Sequence, residues 1–268
     1  MGSLTLSALG VYPVKSAGGV ALASVRVDAR GLAGDRRWMV VDSKRRFLTQ
    51  RTHPHLALVS VTIAGDGLVL NAPGMPALEV RAPPPAATPV RVQVWDDVCD
   101  AVTAGEEAAR WVSRVLGESV ELFHMHGGSH RRVQGKGGTP GFELSFVDAF
   151  PFLLISEGSL ADLNRRLDRP LPMDRFRPNL VVRGCEPYAE DGWSRIRIGA
   201  IDFHVVQPCI RCTTTTVDQK TGERGREPLA TLATFRRVGN GVLFGQNVVH
   251  AGVGDLHLGD EVRVLARV

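Results

Sequence analysis

Apolar residues recur along this chain in short alternating runs far more often than at helical spacing. In the first half, Leu4 to Val14, Trp38 to Val41, Val59 to Ile63, Leu68 to Leu70, Val90 to Val94 and Val98 to Val102 each read as a strand. Pro13 suits a strand end, and Asp66-Gly67 marks a tight hairpin between two of these runs. Phe47 to Arg51 is expected to fold back on Trp38 to Val41 across Ser43-Lys44-Arg45-Arg46. Helical spacing first shows after Val102. Thr103 and Glu106 have the spacing of a capping box, Ala108, Trp111 and Val115 share a face, and Gly117 is a fitting stop.

The second half repeats the pattern. Val147 to Ser156 is a buried apolar run with Asp148 just ahead of Phe150-Pro151-Phe152. A helix is expected to open near Ser159, with Leu160, Leu163 and Leu167 on its inner face. Leu180 to Arg183 reads as a strand. Arg195 to Ile198 and Ile201 to Val206 form a hairpin around Gly199-Ala200. Pro208 then stops the run, and Thr213 to Val217 reads as a new strand that begins at Cys212. Pro228 opens a short helix at its first position, with Leu229, Leu232 and Phe235 inward. Val242 to Val249 and Glu261 to Leu265 close the chain. Gly245 and Gln246 inside a strand pattern point to a bulge, or to a ligand close to the backbone. The expected fold is α+β and mostly β, in two parts. Residues 1–120 form a small α/β-barrel-like domain, and residues 121–268 form a β-barrel with short peripheral helices.

Composition narrows the functional classes. Sixteen Pro and 29 Gly agree with a strand-rich chain. The net charge of +4 is spread along the sequence, which suits an anionic ligand but gives no basic stripe for nucleic acid. No apolar run is long enough to span a bilayer, and no basic-then-apolar leader opens the chain. Four Cys without a secretory context point to a reducing cytoplasm, where a Cys pair more often binds metal or does chemistry than forms a staple.

The chemistry centres on Cys209-Ile210-Arg211-Cys212. A fixed positive charge beside a thiol favours thiolate, the form that binds metals and attacks electrophiles. A zinc site would need a second Cys or His pair at set spacing, and none follows. A thioredoxin-like dithiol would open a helix. What remains is a structural pair, or one thiolate on a soft or redox metal whose other ligands come from a cofactor. Lys15-Ser16 before Gly18-Gly19 makes either an anion cradle or a solvated turn. Arg175 and Arg177 lie close in one loop and would repel unless an anion sits between them. Asp35 and Arg36 read as an ion pair beside a Gly-rich turn. His124 to Phe142, with three His and many Gly, reads as a solvated or substrate-covering loop. Gly135-Lys136 within it lacks the Ser or Thr of a phosphate loop.

Together these motifs resemble the MOSC family. Tyr12-Pro13-Val14-Lys15-Ser16, Gly34-Asp35-Arg36, Phe176-Arg177-Pro178-Asn179, Arg211-Cys212, Val217-Asp218, Glu227-Pro228-Leu229 and Leu243-Phe244-Gly245-Gln246 come in that family's order. The likeness spans nearly the whole chain and is strongest to the mitochondrial amidoxime-reducing component and its bacterial relatives. It implies an N-terminal MOSC β-barrel domain over 1–120 and a MOSC domain over 121–268. It also implies a molybdenum cofactor, with Cys212 as the metal ligand and Asp148 as an acid near the metal. By the same resemblance Lys15, Ser16, Arg36, Arg177, Asn179 and Arg211 contact the cofactor's phosphate and pterin, with Asn247 where some members have Tyr.

The implied reaction is reduction of N-hydroxylated or N-oxide small molecules. Its electrons would come from an external donor, a ferredoxin or flavoprotein, since no dinucleotide fingerprint and too few Cys for an iron–sulfur cluster are present. A non-catalytic cofactor carrier, or sulfur transfer through a Cys212 persulfide, are the alternatives. No nucleic-acid partner and no membrane anchor are expected, nor the C-terminal ferredoxin-like domain of some bacterial relatives.

Overall fold

A computed structural model describes residues 3–133 and 141–268. Strands make up 42% of the structure and helices 15%, so the mostly-β α+β class holds. The chain opens with β1 (Thr5–Val11), β2 (Val20–Leu22), β3 (Ser24–Asp28), β4 (Gly31–Leu32) and β5 (Trp38–Val41). Then come β6 (Ser60–Ala64), β7 (Gly67–Asn71), β8 (Leu78–Val80), β9 (Val90–Val94) and β10 (Asp97–Thr103). Helix α1 (Glu106–Leu116), β11 (Glu121–Met125) and the short β12 (Arg132–Val133) and β13 (Phe142–Glu143) follow. The second half carries β14 (Phe152–Ser156), α2 (Glu157–Asn164), β15 (Leu180–Arg183), β16 (Trp193–Ile198) and β17 (Ile201–Ile210). It ends with α3 (Leu229–Leu232), β18 (Arg237–Val238), β19 (Gly241–His250), β20 (Gly254–His257) and β21 (Val262–Arg267).

The largest sheet has the order β2-β1-β15-β14-β19-β17-β16-β21, with β18 flanking β19. Its first two strands come from the start of the chain and the others from the second half. β3 and β4 likewise pair with β20. Residues 5–32 are therefore woven into the second half. Leu6, Leu9, Val25 and Val27 share one core with Phe152, Leu180, Phe203, Val248 and Leu256.

Residues 38–125 form a separate layer. It holds the sheet β5-β11-β10-β9 and the meander β6-β7-β8. Helix α1 lays Ala108, Trp111 and Val112 against Leu56, Val61 and Leu70. Among the described residues no helix is long and apolar enough to cross a membrane.

Several local expectations change. The Thr run after Cys212 is not a strand: Thr213–Thr216 is one 3-10 turn. The Thr215 and Thr216 hydroxyls donate to the carbonyls of Cys212 and Thr213, at 2.9 and 2.8 Å. Hydroxyls bonded to nearby backbone carbonyls favour a turn over a ladder. The strand lies on the other side of the Cys pair, because β17 runs through Pro208 and Cys209. Pro208 is tolerated at a register shift, where Cys209 alone faces the two residues Phe244 and Gly245 of β19. The capping box does not form either. Helix α1 starts after Gly105, which has φ 92°, and Thr103 accepts from the Gly105 amide instead. Helix α2 starts earlier than expected, capped by Ser156. Pro228 precedes α3 as its cap residue. Phe47 to Arg51 meets β5 at a single bridge, and the true partner of β5 is β11.

Candidate cofactor cleft

β1 ends at Val11, and Tyr12-Pro13 turns the chain toward the second layer. The next residues are zipped to the start of β5: the Lys15 amide donates to Trp38 O at 2.7 Å, Arg36 to Tyr12 O at 2.9 Å, and Trp38 to Pro13 O at 3.0 Å. Lys15, Ser16 and Arg36 thus share one wall. The loop before β15, the end of β17 and the middle of β19 build the other. Lys15, Ser16, Arg36, Asp148, Arg177, Asn179, Arg211, Cys212 and Asn247 all line a single cleft of about 320 Å³.

Three of these residues hold a backbone conformation that side chains rarely adopt. Ser16 has φ 68°, Arg36 46° and Arg177 57°. Left-handed backbone costs on the order of 1–3 kcal/mol per residue and clusters at functional sites. Here it aims two guanidiniums into one place. Arg36 and Arg177 both lie over the Tyr12 ring, at 4.5 and 4.2 Å. Burial, then Arg36, lowers the Arg177 pKa to about 10. Arg36 is offset by the buried Asp35, 2.5 Å away, so that pair belongs to the interior rather than the surface.

Asn179 works as a brace. Its Oδ1 accepts from Arg36 at 3.1 Å and from the Leu153 amide at 3.2 Å, and its Nδ2 donates to Gly10 O at 3.1 Å.

The thiol end differs from the sequence expectation in one important way. Arg211 adjoins Cys212 in the chain, but its guanidinium serves Cys209 Sγ at 3.1 Å and Phe176 O at 2.7 Å. The cation at Cys212 is Arg51, whose Nη1 lies 3.7 Å from Sγ and 3.2 Å from Asp148 Oδ2. Nothing local in the sequence marked Arg51. It ended an expected strand and carried no motif.

Burial pushes the Cys212 thiol up, but the Thr214 hydroxyl and amide together with Arg51 outweigh it, and the net shift is down. Burial pushes Cys99 and Cys185 up, and Arg131 with Ser129 at the first and Ser156 at the second do not offset it. Cys212 is also the exposed one of the four.

Asp148 stands at the mouth. It takes Lys15 Nζ at 2.5 Å, Arg51 at 3.2 Å and the Trp95 indole N–H at 3.3 Å. Burial pushes its carboxyl up, yet Lys15 and Arg51 prevail and hold it far below the carboxylate range. Burial in turn lowers Lys15 to about 8, against the pull of Asp148. Lys15 also donates to Phe146 O at 2.7 Å.

Arg175 does not join Arg177. The 3-10 turn Met173–Phe176 sends it away to Asp218, 2.7 Å off. Of the three His, His124 packs at a tilt against Trp38 and His130 meets Glu143 at 3.1 Å. Neither these two nor His126 lines the cleft. Gly135 and Lys136 lie outside the described residues.

A large anion with a soft-metal end fits this lining. Buried Arg51 Nη2, Arg177 Nη2 and Arg211 Nε have no hydrogen-bond partner among the described residues. An unmet buried donor costs about 1–3 kcal/mol, and an anionic ligand removes that cost. Among the described residues no cluster of three or more His, Cys, Asp or Glu could hold a metal. A metal at Cys212 would take its remaining ligands from a cofactor.

A two-layered, strand-rich protein with a cationic cleft and one thiolate-favouring Cys in it is the class that this fold and lining define. Residues 3–119 match the MOSC N-terminal beta barrel domain and residues 141–263 the MOSC domain. The chain is 36% identical to mitochondrial amidoxime-reducing component 1 of Mus musculus, over 98% of this chain and 83% of that protein. The Homo sapiens component 1 is 35% identical with the same coverage. The Rattus norvegicus component 2 is 34% identical over 96% of this chain and 82% of that one. The protein belongs to the MOSC family, in the branch of these amidoxime-reducing components.

Proposed function

We propose that this protein is a molybdenum-cofactor-dependent reductase of N-hydroxylated or N-oxide compounds, fed with electrons by a separate redox protein. The observation that carries this is the cleft itself. One thiolate-favoured, exposed Cys stands at its mouth, and buried guanidinium donors without protein partners line its walls. The relatives' name, amidoxime-reducing component, supports the substrate class.

Arg36, Arg177 and Arg211 would hold the cofactor's anionic part through charge-assisted hydrogen bonds, with Ser16 and Asn247 beside them. Cys212 would supply the protein's thiolate to the metal. Once bound, the cofactor supplies the two-electron reduction that takes oxygen from nitrogen. Asn179 holds Arg36 in place. The Thr214 hydroxyl and amide, with Arg51, favour the Cys212 thiolate. Lys15 and Asp148 form a coupled pair that holds one proton at the mouth, on Lys15 Nζ rather than on the carboxylate. The relay to the departing oxygen therefore starts from Lys15, with Asp148 as its acceptor-side partner.

The test is metal analysis of the purified protein, followed by dithionite-driven reduction of benzamidoxime by wild type and Cys212→Ser. Molybdenum and turnover in the wild type, with turnover lost in a folded Cys212→Ser, is the expected result. Cys209→Ser should cost far less. Cofactor without turnover on any N-hydroxy compound favours a carrier, and a sulfur-loaded Cys212 without molybdenum favours sulfur transfer.

A further inference from the structure

Among the described residues eight large hydrophobic side chains are exposed, and three of them lie on or near the cleft side: Trp95 at 46%, Ile210 at 66% and, one strand beyond β19, Val238 at 65%. Trp95 reaches Asp148 through its indole N–H and stacks on Arg51 at 4.7 Å. Ile210 lines the cleft directly. In the ladder, Ile210 faces Leu243 and Val238 faces Gly241. Cross-strand partners, and residues two apart on one strand, lie on the same face of a sheet. Ile210 and Val238 thus flank Gly241, where a Cβ would come within 3.2 Å of the Ile210 side chain. The result is an apolar ridge beside the exposed sulfur of Cys212.

The charges around this ridge have one dominant sign. Arg226 and Arg237, the latter next to Val238, are exposed and enter no ion pair among the described residues. Arg224 is exposed too, and its guanidinium donates only to the carbonyls of Gln50 and Arg51. The Gly225 amide donates to Thr216 O at 2.9 Å, which ties this loop to the turn after Cys212. Glu223 is the exposed acid of the loop, while Glu227 accepts from the Thr231 amide. The 124–133 stretch is different. Arg131 is committed to Asp97, and Arg132 and His130 share Glu143.

We propose that this ridge, from Ile210 and Val238 to the exposed guanidiniums of Arg224, Arg226 and Arg237, is the docking surface for a small acidic one-electron carrier protein. The proposal rests on the reductase reading above. Redox encounters use small interfaces, and complementary charge steers them and raises their on-rate. The N–O bond of the substrate breaks, two electrons and two protons are consumed, and amine or amidine and water leave. Two reduced carriers are each oxidised by one electron and dock in turn, so rapid release matters as much as capture. An apolar centre with exposed cations around it suits both.

The test uses the full, cofactor-loaded chain and a reduced acidic plant-type [2Fe–2S] ferredoxin as probe. Arg226→Glu/Arg237→Glu and Val238→Glu are compared with wild type in two assays: ferredoxin binding by titration calorimetry across salt concentrations, and benzamidoxime reduction driven by ferredoxin or by dithionite–viologen. Expected are wild-type binding that weakens as salt rises, at least tenfold weaker binding in the charge-reversed variant, and a matching rise in its KM for ferredoxin. The dithionite–viologen rate should stay within about twofold of wild type in both variants. Wild-type ferredoxin binding in the variants, or no salt-dependent binding by wild type, overturns the proposal. Loss of dithionite-driven turnover in wild type would sink the reductase reading instead, while the binding arm still decides the docking surface.

Discussion

Cys212 was legible from its neighbours in sequence, but its true neighbours in space were not. The adjoining Arg211 points to Cys209, and the charge at Cys212 comes from Arg51, 161 positions away in the chain. A motif records which residues recur together, whereas a side chain's direction depends on the turn that carries it. The same limit applied to Asp148, which was legible as an acid near the site but not as one clamped between two cations.

Two predictions belong at this scale. Arg51→Ala should lower molybdenum content at limiting cofactor, because a charge-assisted hydrogen bond is worth roughly 1.5–3 kcal/mol, or about ten- to hundredfold in affinity. Full occupancy in that variant would make Arg51 a bystander. Asp148→Asn should reduce stability at neutral pH by about 1–2 kcal/mol, after discounting the value of a buried pair for the carboxylate's exposure.

The sign of that second effect with pH is fixed. The folded Asp148 pKa lies below its ordinary 3.8. Its contribution is therefore complete above that value and is lost as pH falls below it. Urea titrations from pH 7 to 3 should find the gap between wild type and Asp148→Asn closing only at the acid end.

Among the elements, strands held better than their ends. The hairpin around Gly199-Ala200 formed as expected, whereas the other turns at Gly65-Asp66, one position before the expected Asp66-Gly67, because Gly65 takes the left-handed conformation at φ 60° and Gly67 pairs with Ala64. The strand expected after Cys212 became a turn because the Thr hydroxyls bond locally, a competition that β propensity does not register. Gly245 is the clearest success. Of the two readings offered there, a bulge or a ligand close to the backbone, the bulge is real, with φ 79°, and a Cβ would stand 2.6 Å from Ile155 Cγ1 and 2.8 Å from Leu154 O. Gly245→Ala should therefore destabilise the protein by at least about 1 kcal/mol and lower Tm by at least about 2 °C. An unchanged melting curve would mean that β19 can relax around the methyl group at no cost.

For the whole molecule, the class and the convergence of three distant loops on one cleft could be read from the sequence. The path of the chain between layers could not, because alternation reports that a strand is half-buried, not which strand it meets. β1 pairs with β15, and β3 with β20, so strands from residues 5–32 complete the sheets of the second half. The expected consequence is that residues 121–268 produced alone do not reach a native fold. They would leave β15 and β20 with open edges and Phe152, Leu180 and Leu256 without Leu6, Leu9, Val25 and Val27. A cooperative thermal transition and dispersed NMR spectrum from that fragment would count against this. Adding back residues 1–33 as a peptide should restore them.

The pairing of β1 with β15 also sets a timetable at the ribosome. Arg183, which donates to the Thr5 hydroxyl, is synthesised 178 positions after it. At about 5–20 residues per second, that interval is roughly ten to thirty seconds. In the later part of it, once Met125 has been made, the layer built from residues 38–125 has all its own strands and can close. The opening strand, with Leu6 and Leu9, must wait in the growing chain. A strand made long before its partner is among the last to find its place, and in those seconds this nascent chain is most exposed to chaperones and to pairing with another copy of itself.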